Sequence, residues 1–203
     1  MKYLGLLGVL WVSGCGAFRG AEHVVPRPEL VGEWVLNRPE SNDSVAVAAA
    51  LADTLRGKWG VDGRAGGTMV RDSARVRDRH RRPWRRHELA SLRALRTAPD
   101  RFAIGQTDSM VTIQVGVDST VAVPTNWRKV RVTWLDAQPS EARARWKDGR
   151  LQIERRFDDG SGVTEYYSRS PGSSRLVVYT TVDGWLRTDA TVRRVYDAVI
   201  VGN

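Results

Sequence analysis

The sequence predicts a mainly β protein: an antiparallel up-and-down barrel of about ten strands, with a helix-loop-helix insertion between the first and second strands. Two observations carry this. From residue 101 onward apolar residues recur with a period of two, in nine short runs at 101–106, 109–115, 119–124, 129–135, 141–146, 150–157, 163–168, 175–182 and 190–197. One more such run, 30–36, stands ahead of a segment, 43–98, whose period is helical. Short links favour antiparallel neighbours. A meander this long either closes into a barrel, which removes its exposed edges, or splits into two packed sheets. The barrel is the reading adopted, with the sandwich as the alternative.

The chain opens with Met1 and Lys2, ten apolar residues at 3–12, and then Ser13-Gly14-Cys15. A positive start, a short apolar stretch and small residues at a cut describe a signal peptide over 1–14. The stretch is about half the roughly 20 residues of a membrane span. Val12-Ser13-Gly14-Cys15 resembles the lipobox of bacterial lipoproteins. That resemblance implies cleavage before Cys15, a lipid on its sulfur, and a membrane-anchored protein of the cell envelope. By the same resemblance to enterobacterial lipoproteins, Gly16 in place of an Asp after Cys15 implies the periplasmic face of the outer membrane. Residues 15–29 read as a tether of at most roughly 45 Å. Cys15 is the only cysteine, so no internal disulfide staples the domain at 30–203.

Within that domain, 30–36 is closed as a strand by Asn37-Arg38-Pro39. Asn42 or Asp43 is placed to cap a helix through 45–55 that stops at Gly57. Five glycines follow between 57 and 67, without the Gly-Lys-Ser/Thr ending of a phosphate loop. A second helix starts at Pro83 and ends before Pro99, with Leu89, Leu92 and Leu95 on one face and Arg93 and Arg96 outside. The links between the later runs carry turn chemistry, as in Lys147-Asp148-Gly149, Asp158-Asp159-Gly160 and Ser170-Pro171-Gly172.

Gly32-Glu33-Trp34 on the first strand resembles the Gly-x-Trp signature of lipocalins and fatty-acid-binding proteins. The helix pair after that strand resembles the lid of the fatty-acid-binding group, although the stretch between the helices is far longer than the family's lid turn. Arg194-Val195-Tyr196 on the last strand resembles its Arg-x-Tyr, and Trp146-Lys147-Asp148-Gly149 resembles its Trp-Asp-Gly hairpin. The layout also resembles bacterial lipoproteins that open with Gly-x-Trp-x-Leu-Asn. The resemblance implies a calycin-type barrel in which Arg194, Tyr196 and Arg155 hold the carboxylate of a fatty acid or another apolar ligand. Alternation supports part of this: Arg155 shares a face with Leu151, Ile153 and Phe157, and Arg194 one with Val192 and Tyr196. An inward guanidinium needs a partner, and a carboxylate serves it bidentately. The competing role for Arg194 is to lie across Trp34 and close the barrel end by a cation–π contact. Trp127, Trp134, Trp146 and Trp185 read as core or rim packing.

The formal net charge is +9, and only four of the 32 bases are lysine. Most of the excess falls in 71–87, where Arg71, Arg75, Arg77, Arg79, Arg81, Arg82, Arg85 and Arg86 face only Asp72 and Asp78. Such a block is a local patch suited to anionic lipid or an acidic cell-wall polymer, or a solvated loop. Nucleic acid suits its charge and not its compartment. The three histidines, His23, His80 and His87, all fall outside the strand runs. No His-based metal site or Ser-His-Asp arrangement is therefore available inside, no cofactor is implied, and a non-enzymatic protein is expected.

Overall fold

The computed structural model describes residues 27–58, 89–183 and 190–199. The signal segment, Cys15, the eight arginines of 71–87, the start of the second expected helix and Trp185 lie outside them.

Ten strands form one sheet, each antiparallel to its neighbours, in the order β4-β3-β2-β1-β10-β9-β8-β7-β6-β5. They are β1 Gly32–Leu36, β2 Arg101–Gln106, β3 Met110–Val115, β4 Ser119–Pro124, β5 Val130–Thr133, β6 Pro139–Lys147, β7 Arg150–Arg156, β8 Gly162–Ser168, β9 Arg175–Asp183 and β10 Thr191–Ala198. The first and last strands pair, Trp34 opposite Ala198, which brings the sheet round into a barrel and excludes the sandwich. Closure is incomplete, because the terminal strands of the sheet, β4 and β5, do not pair with each other. The link between them folds across the opening instead: Asn126 bridges to Arg145, and the Trp127 N–H donates to the Ala144 carbonyl at 2.8 Å. Trp127 turns there with φ 65°, and the guanidinium groups of Arg143 and Arg145 stand 4.2 and 4.1 Å from the centre of its ring. The expectation that closure removes every edge therefore holds at β1–β10 and gives way to a capped seam at β4–β5.

Local chemistry accounts for the elements. Gly32 sits at φ 144°, a backbone region costly for any residue with a Cβ, and lets Trp34 turn inward. Asp148 and Gly149, at φ 51° and 70°, make the two-residue turn joining β6 and β7. The β5 run is shorter than its apolar pattern, since Trp134 and Leu135 enter a turn closed from the Ala137 N–H to the Trp134 carbonyl.

Helix α1 spans Ser44–Lys58. Asp43 caps it, accepting from the N–H groups of Val45 and Ala46, while Asn42 instead accepts from the Arg193 N–H of β10. Helix α2 spans Ala90–Arg96 and ends before Pro99, as the sequence implies. It lies against α1, β8 and β9.

The interior is stratified. One apolar cluster fills the barrel from Leu30 and Trp34 to Ile153, Tyr167, Val178 and Tyr196. A second lies under the helices and joins Leu51, Leu55, Leu92 and Leu95 to Phe157, Val163, Val182 and Val192. Four consecutive strands pass through both. On each of them the inward residue between the two clusters is polar: Arg155 on β7, Glu165 on β8, Thr180 on β9 and Arg194 on β10, all buried.

Candidate ligand cavity in a polar layer

Period-two alternation puts these four side chains inside the barrel, and the turn after β5 adds a fifth, Asp136. Arg155 donates from Nη1 to Asp136 Oδ2 at 3.0 Å, with the two side chains 1% and 2% exposed. Its guanidinium lies 4.8 Å from the Trp134 ring and 5.4 Å from that of Phe157, and its Nε–H has no partner. The counter-charge that an inward Arg155 requires is thus supplied by the chain itself. Asp136 is held in turn by the Gln138 N–H at 3.0 Å.

Arg194 donates from Nη1 to Thr180 Oγ1 at 2.9 Å and from Nη2 to the carbonyl oxygen of Leu95 in α2. That carbonyl belongs to the last turn of a helix, where no intrahelical donor remains and a positive charge is favourable. The other end of α2 is also held by the barrel. Asp159 in the β7–β8 turn accepts from the Ala90 N–H at 2.9 Å, and Ser161 Oγ accepts from the Ser91 N–H at 3.2 Å. Leu89, at the helix start, supplies no side-chain cap of its own.

A cavity of about 110 Å³ opens among these groups. Arg155, Arg194 and Tyr196, the three residues expected to hold a ligand, all line it, together with Asp136, Glu165 and Tyr167. Phe102, Ile113, Trp134 and Val178 supply its apolar wall, and 97–99, just after α2, border it. Glu165 accepts a hydrogen bond from the Tyr167 hydroxyl at 3.3 Å. Burial, aided by the charge of Glu165, pushes the Tyr167 phenol well up. Burial also raises that of Tyr196; the Arg194 charge opposes the rise and the Glu165 charge adds to it. Both side chains therefore remain hydroxyl donors at neutral pH. The layer offers two guanidinium groups, two carboxyl groups and two phenols around a small apolar-walled space.

The second role considered for Arg194, lying across Trp34, belongs to a different residue. The guanidinium over the Trp34 ring is that of Arg169, 5.4 Å from it, in the link after β8. Arg169 also donates to the carbonyls of Ser173 and Glu29, so it ties the start of the domain to the closed end of the barrel. Trp34 itself is 1% exposed and donates from Nε1 to the Leu30 carbonyl at 3.0 Å. Arg194 cannot serve there because its level lies above Tyr196, on the helix side of the barrel.

No family model and no curated protein matches the sequence. Solved structures do match in shape. One is the apo form of lipid binding protein 8 of Caenorhabditis elegans, with a TM-score of 0.50 and 11% identity, covering 87% of this chain and 99% of that one. Another is the Schistosoma mansoni fatty acid binding protein in complex with arachidonic acid, with a TM-score of 0.48 and 10% identity, covering 84% and 96%. The structural neighbours of this chain are barrels of the fatty-acid-binding, lipocalin-like kind. Identities this low speak to the fold alone, and the functional reading rests on the cavity.

Sequence reasoning missed several residues of this arrangement, Thr180 and Tyr167 on inward faces among them. Glu165 shares the inward face of its run with Val163 and Tyr167, so alternation marks it. Asp136, Asp159 and Ser161 lie in turns and read there as turn chemistry. Among the described residues, no group of His, Cys, Asp and Glu side chains is placed to hold a metal ion, and no helix is long and apolar enough to cross a membrane.

Proposed function

We propose that this chain is a membrane-anchored envelope lipoprotein, without enzymatic activity, whose barrel carries a small lipid-like ligand, apolar with one polar end. The observation that carries the reading is the cavity itself. It brings Arg155, Arg194 and Tyr196 together against an apolar wall. The likeness of the fold to lipid-binding barrels agrees with this. Anchoring rests on the lipobox-like sequence at Cys15. Solvent extraction of the purified protein, followed by mass spectrometry, tests the carrier role: a recurrent non-covalent species supports it, and a clean extract opposes it. Membrane fractionation of the Cys15→Ser protein tests the anchor.

A second reading has its own support. At about 110 Å³ the cavity is smaller than the roughly 300–1,000 Å³ of common ligand sites, and Arg194 is already bonded within the chain. The barrel would then be a filled scaffold whose basic stretch at 71–87 docks on an anionic membrane or cell-wall polymer.

A further inference from the structure

We propose that Glu165 is a specificity-determining residue of the cavity, selecting ligands whose polar end is uncharged and turning away carboxylates. The inference rests on the carrier reading and refines it. The layer that lines the cavity holds two guanidinium groups, those of Arg155 and Arg194, and two carboxyl groups, those of Asp136 and Glu165. All four side chains belong to residues at least nine-tenths buried or, for Asp136, to a side chain 2% exposed. Asp136 pairs with Arg155 at 3.0 Å. Glu165 accepts from the Tyr167 hydroxyl and lines the same cavity as Arg194, which bonds only neutral oxygens, those of Thr180 and Leu95.

The interior is therefore balanced before any ligand enters. A ligand carboxylate would be a third anion against two cations in a space poorly screened by water, and an ion without a counter-charge is strongly disfavoured there. A hydroxyl, carbonyl or amide end adds no charge. It accepts from the guanidinium and phenol donors that line the cavity, and a hydroxyl or amide also donates to the Glu165 carboxylate. The narrowness of the space favours a short or slender chain beside that head.

The test compares three probes with the same tail, 1-hexanol, hexanoate and hexylammonium, titrated at neutral pH into the purified protein and into its Glu165→Gln form, with dissociation constants from NMR shifts. In the unmodified protein hexanol is expected to bind at least tenfold more tightly than either ion. In Glu165→Gln, which keeps the shape and removes one negative charge, hexanoate is expected to gain at least tenfold while hexanol changes by less than threefold. A thermal melt of the variant checks that it folds, and the comparison within the unmodified protein stands without it. Hexanoate binding the unmodified protein as tightly as hexanol does, or gaining nothing in folded Glu165→Gln, overturns the assignment and leaves the carrier reading in place. Absence of binding by all three probes to both proteins overturns the two together.

Discussion

Arg194 on β10 donates to the carbonyl oxygen of Leu95 in α2, across a sequence separation of 99 residues. One guanidinium thus borders the cavity and holds the last turn of the helix above it, while Asp159 and Ser161 hold the first turn. A ligand group that takes the same Nη2 donor of Arg194 competes with the Leu95 carbonyl. Arg194→Gln is therefore expected to accelerate amide hydrogen exchange across 90–96 by at least tenfold, while β3 and β4, on the far side of the sheet, keep their protection. Unchanged exchange in α2 would show that apolar packing alone holds the helix.

The Asp136–Arg155 pair is buried, and removing one partner leaves the other charge uncompensated. Asp136→Asn is expected to lower stability by about 3–5 kcal/mol. Adding Arg155→Met to it should recover part of that loss, because a buried pair replaced by apolar atoms is often close to neutral. Denaturant melts of the two single variants and the double variant measure the coupling. Additive losses would mean that the two side chains act independently.

Tyr167 and Tyr196 carry phenols raised by burial above their ordinary value near 10. The folded chain keeps these protons where the unfolded chain releases them. Their contribution is therefore complete below pH 10 and declines as the pH rises beyond it, for Tyr196 by about 1.4 kcal/mol at pH 11. Urea midpoints measured between pH 8 and pH 11 should fall less steeply in Tyr196→Phe than in the unmodified protein. Parallel slopes would contradict the burial of that hydroxyl.

Much of this fold is legible in the residues. The β-runs are marked by strict alternation, and residues such as Asp148-Gly149 fix where each run ends. Gly32 and Trp34 announce the first strand because one backbone conformation and one large inward ring are needed together. The polar layer is only half legible. Alternation places Arg155, Glu165 and Arg194 inside, but their levels along the barrel depend on register between strands, which a single chain does not display. For that reason Arg169, which stands over Trp34, could not be told from Arg194. Asp136 was hidden for a different cause: a carboxylate in a polar turn is ordinary, and only the fold brings it to Arg155. The volume of the cavity depends on how Phe102, Trp134 and Val178 pack, and no sequence pattern records that.

The eight arginines of 71–87 carry a net +6 with their two aspartates. Each base near an anionic surface contributes about 1 kcal/mol, fading over a Debye length of about 8 Å at physiological salt. The protein purified without residues 1–15 is expected to sediment with phosphatidylglycerol vesicles, to ignore neutral ones and to be released at roughly half-molar salt. Changing Arg79, Arg81, Arg82, Arg85 and Arg86 to Gln should abolish sedimentation with little change in melting temperature. Equal binding to neutral vesicles would make the stretch a solvated loop.

The central claim is that the space between the two apolar clusters holds a ligand, and native mass spectrometry of the protein isolated from its native source tests it most directly. Val178 forms part of the apolar wall and is 3% exposed, so Val178→Phe fills the space from within. The account predicts a non-covalent mass excess that disappears on unfolding and is absent from Val178→Phe, with the variant still folded. A protein that flies at its covalent mass alone, or an excess that survives in folded Val178→Phe, would contradict it.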